Sequence, residues 1–169
     1  IMVYDTTTIT NNEPAINVIG QPDFATVTTG LTQSKLNNPS SMAYDEENAR
    51  LFVSDANNNR VLVFSTLNIT NGMLAINVLG QPDFTTGALS VTKPGIYTPG
   101  ALGYDSTNKR LYVAQESARR VTVFDVQALP AVTTVTSPTA SGNKVTGDTI
   151  AVQLNFSAPV TVTGTPQLT

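Results

Sequence analysis

Ile16-Asn-Val-Ile-Gly-Gln-Pro-Asp-Phe24 returns sixty residues later as Ile76-Asn-Val-Leu-Gly-Gln-Pro-Asp-Phe84, and this repetition decides the fold. The same shift sets Ile1-Met-Val-Tyr-Asp5 over Val61-Leu-Val-Phe-Ser65 and over Val121-Thr-Val-Phe-Asp125 with no gap. Roughly 24 of 60 positions are identical between the first two copies, a unit length typical of repeat architectures.

Within a copy, apolar residues alternate or run in short blocks between turn formers, which gives four strand candidates. In the complete unit these are Ser41 to Asp45, Arg50 to Asp55, Val61 to Ser65 and Ala75 to Gly80. Asp45-Glu-Glu-Asn48 and Asp105-Ser-Thr-Asn108 join the first strand to the second, with Asp and Asn suited to bonding the turn backbone. Asp55-Ala-Asn-Asn-Asn-Arg60 joins the second to the third, and Asn tolerates the left-handed conformation such a turn needs. Abundant Thr, Val, Asn and Ser, with Gly and Pro between apolar runs, agree with an all-β class.

Pro39-Ser-Ser-Met-Ala-Tyr-Asp45, Leu51-Phe-Val-Ser-Asp55 and Asn59-Arg-Val-Leu-Val-Phe64 together resemble an NHL-repeat blade. The resemblance spans about residues 1–126 and implies β-propeller blades of four antiparallel strands. It departs from the family in its long unit and in Gln115-Glu-Ser-Ala-Arg-Arg120, which stands where the Asp- and Asn-rich turn is expected. The extra length falls at Ala25 to Asn38 and Thr85 to Thr98, polar stretches read as surface loops. Ser40, Ser41, Ala43, Gly100, Ala101 and Gly103 are small enough for first strands crowding a central channel. The third copy leaves the pattern after Phe124, so its blade lacks a fourth strand. By resemblance, such a blade is completed by a strand from the N-terminal end of the ring, and the propeller domain is placed at residues 1–128.

From Val132 onward the composition shifts to Thr, Ser, Val and Gly, and a second domain is placed at residues 129–169. Ile150-Ala-Val-Gln-Leu-Asn-Phe156 alternates strictly, the pattern of a strand buried on one face. With Val135 to Gly142, Gly147 to Ile150, Phe156 to Val160 and Val162 to Leu168, the segment resembles the truncated opening of a bacterial Ig-like β-sandwich. The chain starts at Ile1 inside an apolar run and is read as a piece of a larger protein, the remaining blades being partners of these.

Several functions are disfavoured by composition. Net charge is -3 and the longest basic run is Arg119-Arg120, so nucleic acid is not an expected partner. No apolar stretch approaches the roughly 20 residues of a membrane-spanning helix, and direct membrane insertion is not expected. With no Cys and no His, thiolate chemistry and the usual proton-transfer side chain are both missing. No base sits beside a Ser and no carboxylates pair on one face, so no catalytic, cofactor or metal residues are expected. A calcium loop built from Asp45, Glu46, Glu47, Asn48 and Asp105 lacks the spaced acidic order of known calcium loops.

Gly20, Gln21, Pro22, Asp23 and Phe24, with Gly80, Gln81, Pro82, Asp83 and Phe84, read as a structural turn: Pro pre-sets it, Asp bonds its backbone, Phe packs between blades. Antiparallel order puts loops 25–38 and 85–98 on the same face as turns 55–60 and 115–120. Arg60, Tyr97, Glu116, Arg119 and Arg120 are the candidate contacts of that face. The expected function is that of a non-catalytic extracellular or cell-surface binding scaffold for a protein or glycan, with Ig-like modules as spacers or adhesion units. The alternative is a propeller lyase or hydrolase whose His and metal residues lie in blades outside this sequence.

Overall fold

The computed structural model describes residues 1–127, 132–139, 142–143 and 145–156. The chain divides into two units, Ile1–Val126 and Gln127–Thr169. In the first unit three antiparallel sheets follow one another along the chain. β1 (Met2–Val3) pairs with β2 (Asn17–Val18). β3 (Pro39–Asp45), β4 (Arg50–Asp55), β5 (Arg60–Ser65) and β6 (Asn77–Leu79) form a four-stranded meander. β7 (Pro99–Asp105), β8 (Arg110–Gln115) and β9 (Arg120–Asp125) form a three-stranded one.

All four expected strands of the complete unit match to within two residues at each end. The fourth is shorter than expected, and both of its ends have a local cause. Gly80 sits at φ +91, outside extended geometry, and Ala75 donates its amide to Gln33 in the preceding loop rather than to β5. Asp45 organises the β3–β4 turn by accepting from the Asn48 amide at 3.3 Å and from Arg50 Nε at 2.9 Å. Ala49 and Lys109 then take the left-handed conformation at φ 48 and 54, positions where composition offered no Gly or Asn to signal it.

Val61-Leu-Val-Phe64 is buried along its whole length because both faces of the middle sheet are covered. On one face Phe52, Val61 and Val63 meet Ile96 and, in the third sheet, Leu111 and Val113. On the other, Val53, Leu62, Phe64 and Ala75 meet Ile19 beside β2 and Leu36 in the loop before β3. Each such side chain contributes about 1.5–3 kcal/mol when fully buried. Three hydroxyls add polar contacts between the middle and third sheets. Ser40 donates to the Pro99 carbonyl at 3.1 Å, Ser54 to the Gly100 carbonyl at 2.7 Å, and Ser41 accepts from the Leu102 amide at 3.1 Å. These bonds satisfy backbone groups of β7 where its register shifts between Pro99 and Leu102.

In the third sheet the corresponding outer face is open: Val121 is 59% and Val123 50% exposed, against 0% and 3% for Val61 and Val63. In the second unit, β10 (Val132–Thr136) pairs antiparallel with β11 (Gln153–Phe156). Alternation in 150–156 is expected to bury one face, yet Val152, Leu154 and Phe156 are all exposed. Among the described residues of the second unit this pair is the only sheet. The expected strands beyond Phe156 and the expected boundary at residues 128 and 129 fall outside the described residues.

The two glycines Gly80 and Gly103 separate backbone need from mere smallness. A Cβ at Gly80 would lie 2.6 Å from Ile96 on a backbone at φ +91, whereas one at Gly103 would meet open space. Gly80→Ala is predicted to lower stability by about 1–3 kcal/mol. Gly103→Ala is predicted to leave it unchanged or raise it by up to about 1 kcal/mol. Urea midpoints of the two variants test this, and equal midpoints would refute it.

Candidate functional site

The β4–β5 turn is a short 3-10 segment, Ala56–Asn58, closed by Asn59 in the left-handed conformation at φ 52. Its side chains reach two long loops. Asn58 Nδ2 donates to the Gly30 carbonyl and Asn59 Nδ2 to the Gly87 carbonyl, each at 2.9 Å, while Asn59 Oδ1 accepts from the Thr98 amide at 2.9 Å. The expected meeting of this turn with loops 25–38 and 85–98 is therefore seen.

Arg60 must be corrected. It is expected at an exposed turn tip, but it is completely buried. Its Nε donates to Asp55 Oδ2 at 2.7 Å, its Nη2 to the carbonyls of Thr32 and Lys35, and its Nη1 to the carbonyl of Phe84. The other Asp55 oxygen accepts from the Asn37 amide at 2.6 Å. A guanidinium so enclosed is a structural clamp with no donor facing solvent.

The next copy repeats the arrangement with different chemistry. Gln115 takes the place of Asp55, its Oε1 accepting from the Tyr97 amide at 2.9 Å and from Arg120 Nη2 at 3.2 Å. Arg120 also donates to the carbonyls of Val91 and Gly95, at 2.6 and 3.1 Å. Its Nε is buried without a hydrogen-bond partner, because the uncharged amide offers one acceptor oxygen where Asp55 offers two. The departure of Gln115 to Arg120 from the turn pattern thus preserves the fold of the hairpin, and Arg119 adopts φ 52 as Asn59 does.

Glu116, Arg119 and Arg120 border one cleft of about 550 Å3 whose floor is Gly100, Ala101 and Ala114. Glu116 and Arg119 are exposed, while Arg120 is half-buried. Tyr97 is half-buried and does not line this cleft, and Arg60 lies in the other hairpin. Of the five candidate contacts, then, three come together. The small floor residues and Gln115 were not anticipated as part of a site, although the sixty-residue shift from Ser40, Ser41, Ser54 and Asp55 points to each of them.

The repeated Gly-Gln-Pro-Asp-Phe segments form turns held by their own side chains. Asp23 Oδ1 accepts from the amides of Ala25 and Thr26, and Asp83 Oδ1 from those of Thr85 and Thr86. Gln21 and Gln81 donate across their loops to the carbonyls of Thr28 and Ala88. Pro22 and Pro82 are exposed. Phe84 packs against the cluster around Phe64, but Phe24 is 49% exposed, which corrects the expectation that both pack between sheets. Phe24 belongs to neither apolar cluster.

Hydrogen bonding by Thr26 holds the Asp23 carboxyl below the usual range, and bonds from Thr85 and Thr86 do the same for Asp83. Asp105 is lowered by Asn108. At Asp45 burial pushes upward, but Arg50, Asn48 and Tyr104 together outweigh it and the carboxyl is lowered. Among the described residues no three acidic groups are arranged to hold a metal ion, and no helix is long and apolar enough to cross a membrane.

A family model described as NHL repeat matches residues 36–64, which run from Leu36 through the buried end of β5. No curated protein matches the chain.

Two predictions follow from this geometry. Arg60→Ala leaves the buried Asp55 carboxylate without its charge partner and is expected to cost about 3–5 kcal/mol, while Arg119→Ala stays within about 0.5 kcal/mol. Urea titrations decide this, and similar losses at both positions would contradict the clamp. Lowered carboxyl values in the folded state stabilise it above the unfolded value of about 4, and that contribution is lost as pH falls through the folded values. The urea midpoint is therefore expected to hold above about pH 5 and to fall below about pH 4, less steeply in Asp83→Asn. A midpoint indifferent to acid would count against these turns.

Proposed function

We propose that residues 1–126 are successive blades of a β-propeller that serves as a non-catalytic binding scaffold of an extracellular or cell-surface protein. In this reading the second unit opens an Ig-like module that acts as a spacer. The observation that carries the blade reading is the stack itself. Three sheets at a sixty-residue spacing meet face to face through two apolar clusters, and the NHL repeat match covers the first three strands of the middle one.

The binding role rests on the hairpin end of the third sheet. Clamping by Arg60 and Arg120 orders long loops that carry few apolar anchors of their own, and ordered loops suit recognition because little entropy is lost on binding. Glu116 and Arg119 stand exposed at the rim of the adjoining cleft, one acceptor-rich and one donor-rich group. Such a pair suits hydroxyl- and carboxylate-bearing ligands, either a glycan or a polar protein segment.

Glycan-array binding by the chain, followed by titration calorimetry of the hits, tests this. Glu116→Ala with Arg119→Ala is expected to weaken binding at least ten-fold, about 1.4 kcal/mol, with the thermal midpoint unchanged. Undiminished affinity in the double variant would remove this rim from the proposal. Retention of a full-length reporter fusion in the cytoplasm would remove the surface assignment.

A further inference from the structure

Asn71-Gly72, in the loop between β5 and β6, is the one place in the sequence where asparagine precedes glycine; every other asparagine is followed by a residue that carries a side chain. The pair forms a turn in which the Met73 amide donates to the Thr70 carbonyl at 3.3 Å and Gly72 stands at φ +68. One repeat earlier Asn11-Asn12 makes the corresponding turn, with Asn12 at φ 63.

Asn71 is exposed, but its carboxamide is held. Oδ1 accepts from the Val18 amide of β2 at 2.9 Å, and Asn17 Nδ2 lies 3.5 Å from the same oxygen. Among the described residues Asn71 Nδ2 has no acceptor, and neither has the Gly72 amide. A backbone nitrogen with no hydrogen bond to give up therefore adjoins a carboxamide whose oxygen is polarised by two donors, and glycine puts no Cβ in the way.

We propose that Asn71 is a self-modifying site, which cyclises onto Gly72 and becomes a carboxylate residue with solvent water as its co-reactant. The Gly72 nitrogen gives its proton to solvent base and attacks Asn71 Cγ. As the new N–Cγ bond forms, negative charge gathers on Oδ1, where the Val18 and Asn17 donors already point. The Cγ–Nδ2 bond breaks, and ammonia leaves with a proton from water. A second water opens the cyclic imide. Entry at Cγ gives aspartate, and entry at the main-chain carbonyl gives isoaspartate, whose main chain runs through Cβ and Cγ. No oxidation or reduction is involved.

The hydrogen bond at stake joins two repeats. Aspartate keeps Val18 as its donor and makes the bond charge-assisted, whereas isoaspartate lengthens the main chain between Thr70 and Met73. That length is added next to Ala75, which is buried against Ile19 and Leu36 and donates to the Gln33 carbonyl. The conversion is thus a slow, one-way change in how the first repeat is held to the middle one, away from the hairpin rim proposed above for ligands.

Ageing the full chain in mildly alkaline buffer, with peptide mapping by mass spectrometry at intervals, tests the proposal. The expected result is amide-to-acid conversion at Asn71, part of it isoaspartate detected by enzymatic methylation, while Asn11, Asn68 and Asn77 stay intact. A synthetic peptide of residues 66–76, Thr-Leu-Asn-Ile-Thr-Asn-Gly-Met-Leu-Ala-Ile, keeps the dipeptide but lacks the Val18 and Asn17 donors. The full chain unfolded in urea loses them as well. Removing one such donor from an enzyme slows it about 100- to 1000-fold, so the folded chain is expected to convert Asn71 at least about ten-fold faster than either control. Asn17→Ala removes the longer contact and is expected to slow the folded chain at least about two-fold, with its far-UV circular dichroism unchanged. Conversion no faster in the folded chain than in the peptide, conversion spread over the other asparagines, or an unchanged rate in Asn17→Ala would each overturn the proposal.

Discussion

One guanidinium, that of Arg60, ties two stretches of chain that have little regular structure of their own to the end of β4. It is paired with Asp55 at 2.7 Å, and its remaining donors go to carbonyls of the loop before its sheet and the loop after it. Burying a charge is costly unless it is paired and hydrogen-bonded, and here each of the three guanidinium nitrogens has an acceptor. A lysine could offer the charge but not the fixed planar spread of donors. The long loops are thereby tied to a strand end, so that polar, Thr-rich segments become ordered without an apolar core of their own.

The second constraint is the meeting of sheet faces. In a strand, neighbouring side chains point to opposite faces, so Val61 and Val63 serve one interface while Leu62 and Phe64 serve the other. A repeat that keeps its length keeps both interfaces in register, and insertion of a single residue within a strand would exchange them. Between the middle and third sheets the contact is sharpened by Ser40, Ser41 and Ser54, which bond backbone groups of β7. The equivalent residues one repeat later are Gly100, Ala101 and Ala114, which carry no hydroxyl. Whatever lies against the third sheet is therefore not latched in the way the third sheet is latched to the middle one. The same three small residues leave the space that forms the floor of the hairpin cleft.

Much of the fold was legible because strand periodicity, turn residues and the sixty-residue repeat all report on local backbone preferences. The four strands of the middle sheet and both of its turns were readable on those grounds. The candidate site was less so. Arg60 and Arg119 look alike in sequence, each a basic residue in a polar turn, yet one is enclosed and the other exposed. Which applies depends on carbonyls contributed by Thr32, Lys35 and Phe84, residues up to 28 positions away. Phe24 and Phe84 occupy identical local motifs but differ in exposure, since Phe84 packs against the core between the first and middle sheets and Phe24 joins neither apolar cluster.

The sequence by itself determined what is local: an all-β chain, a unit of sixty residues, the positions of its strands, and turns held by Asp and Asn. These depend on neighbours within a few positions, where steric and hydrogen-bonding preferences of single residues suffice. Only the tertiary structure decided which charged groups are clamps and which are free to meet a ligand, and which apolar faces are covered. Burial of an arginine or a valine is a property of the segments that arrive against it, and those come from another repeat.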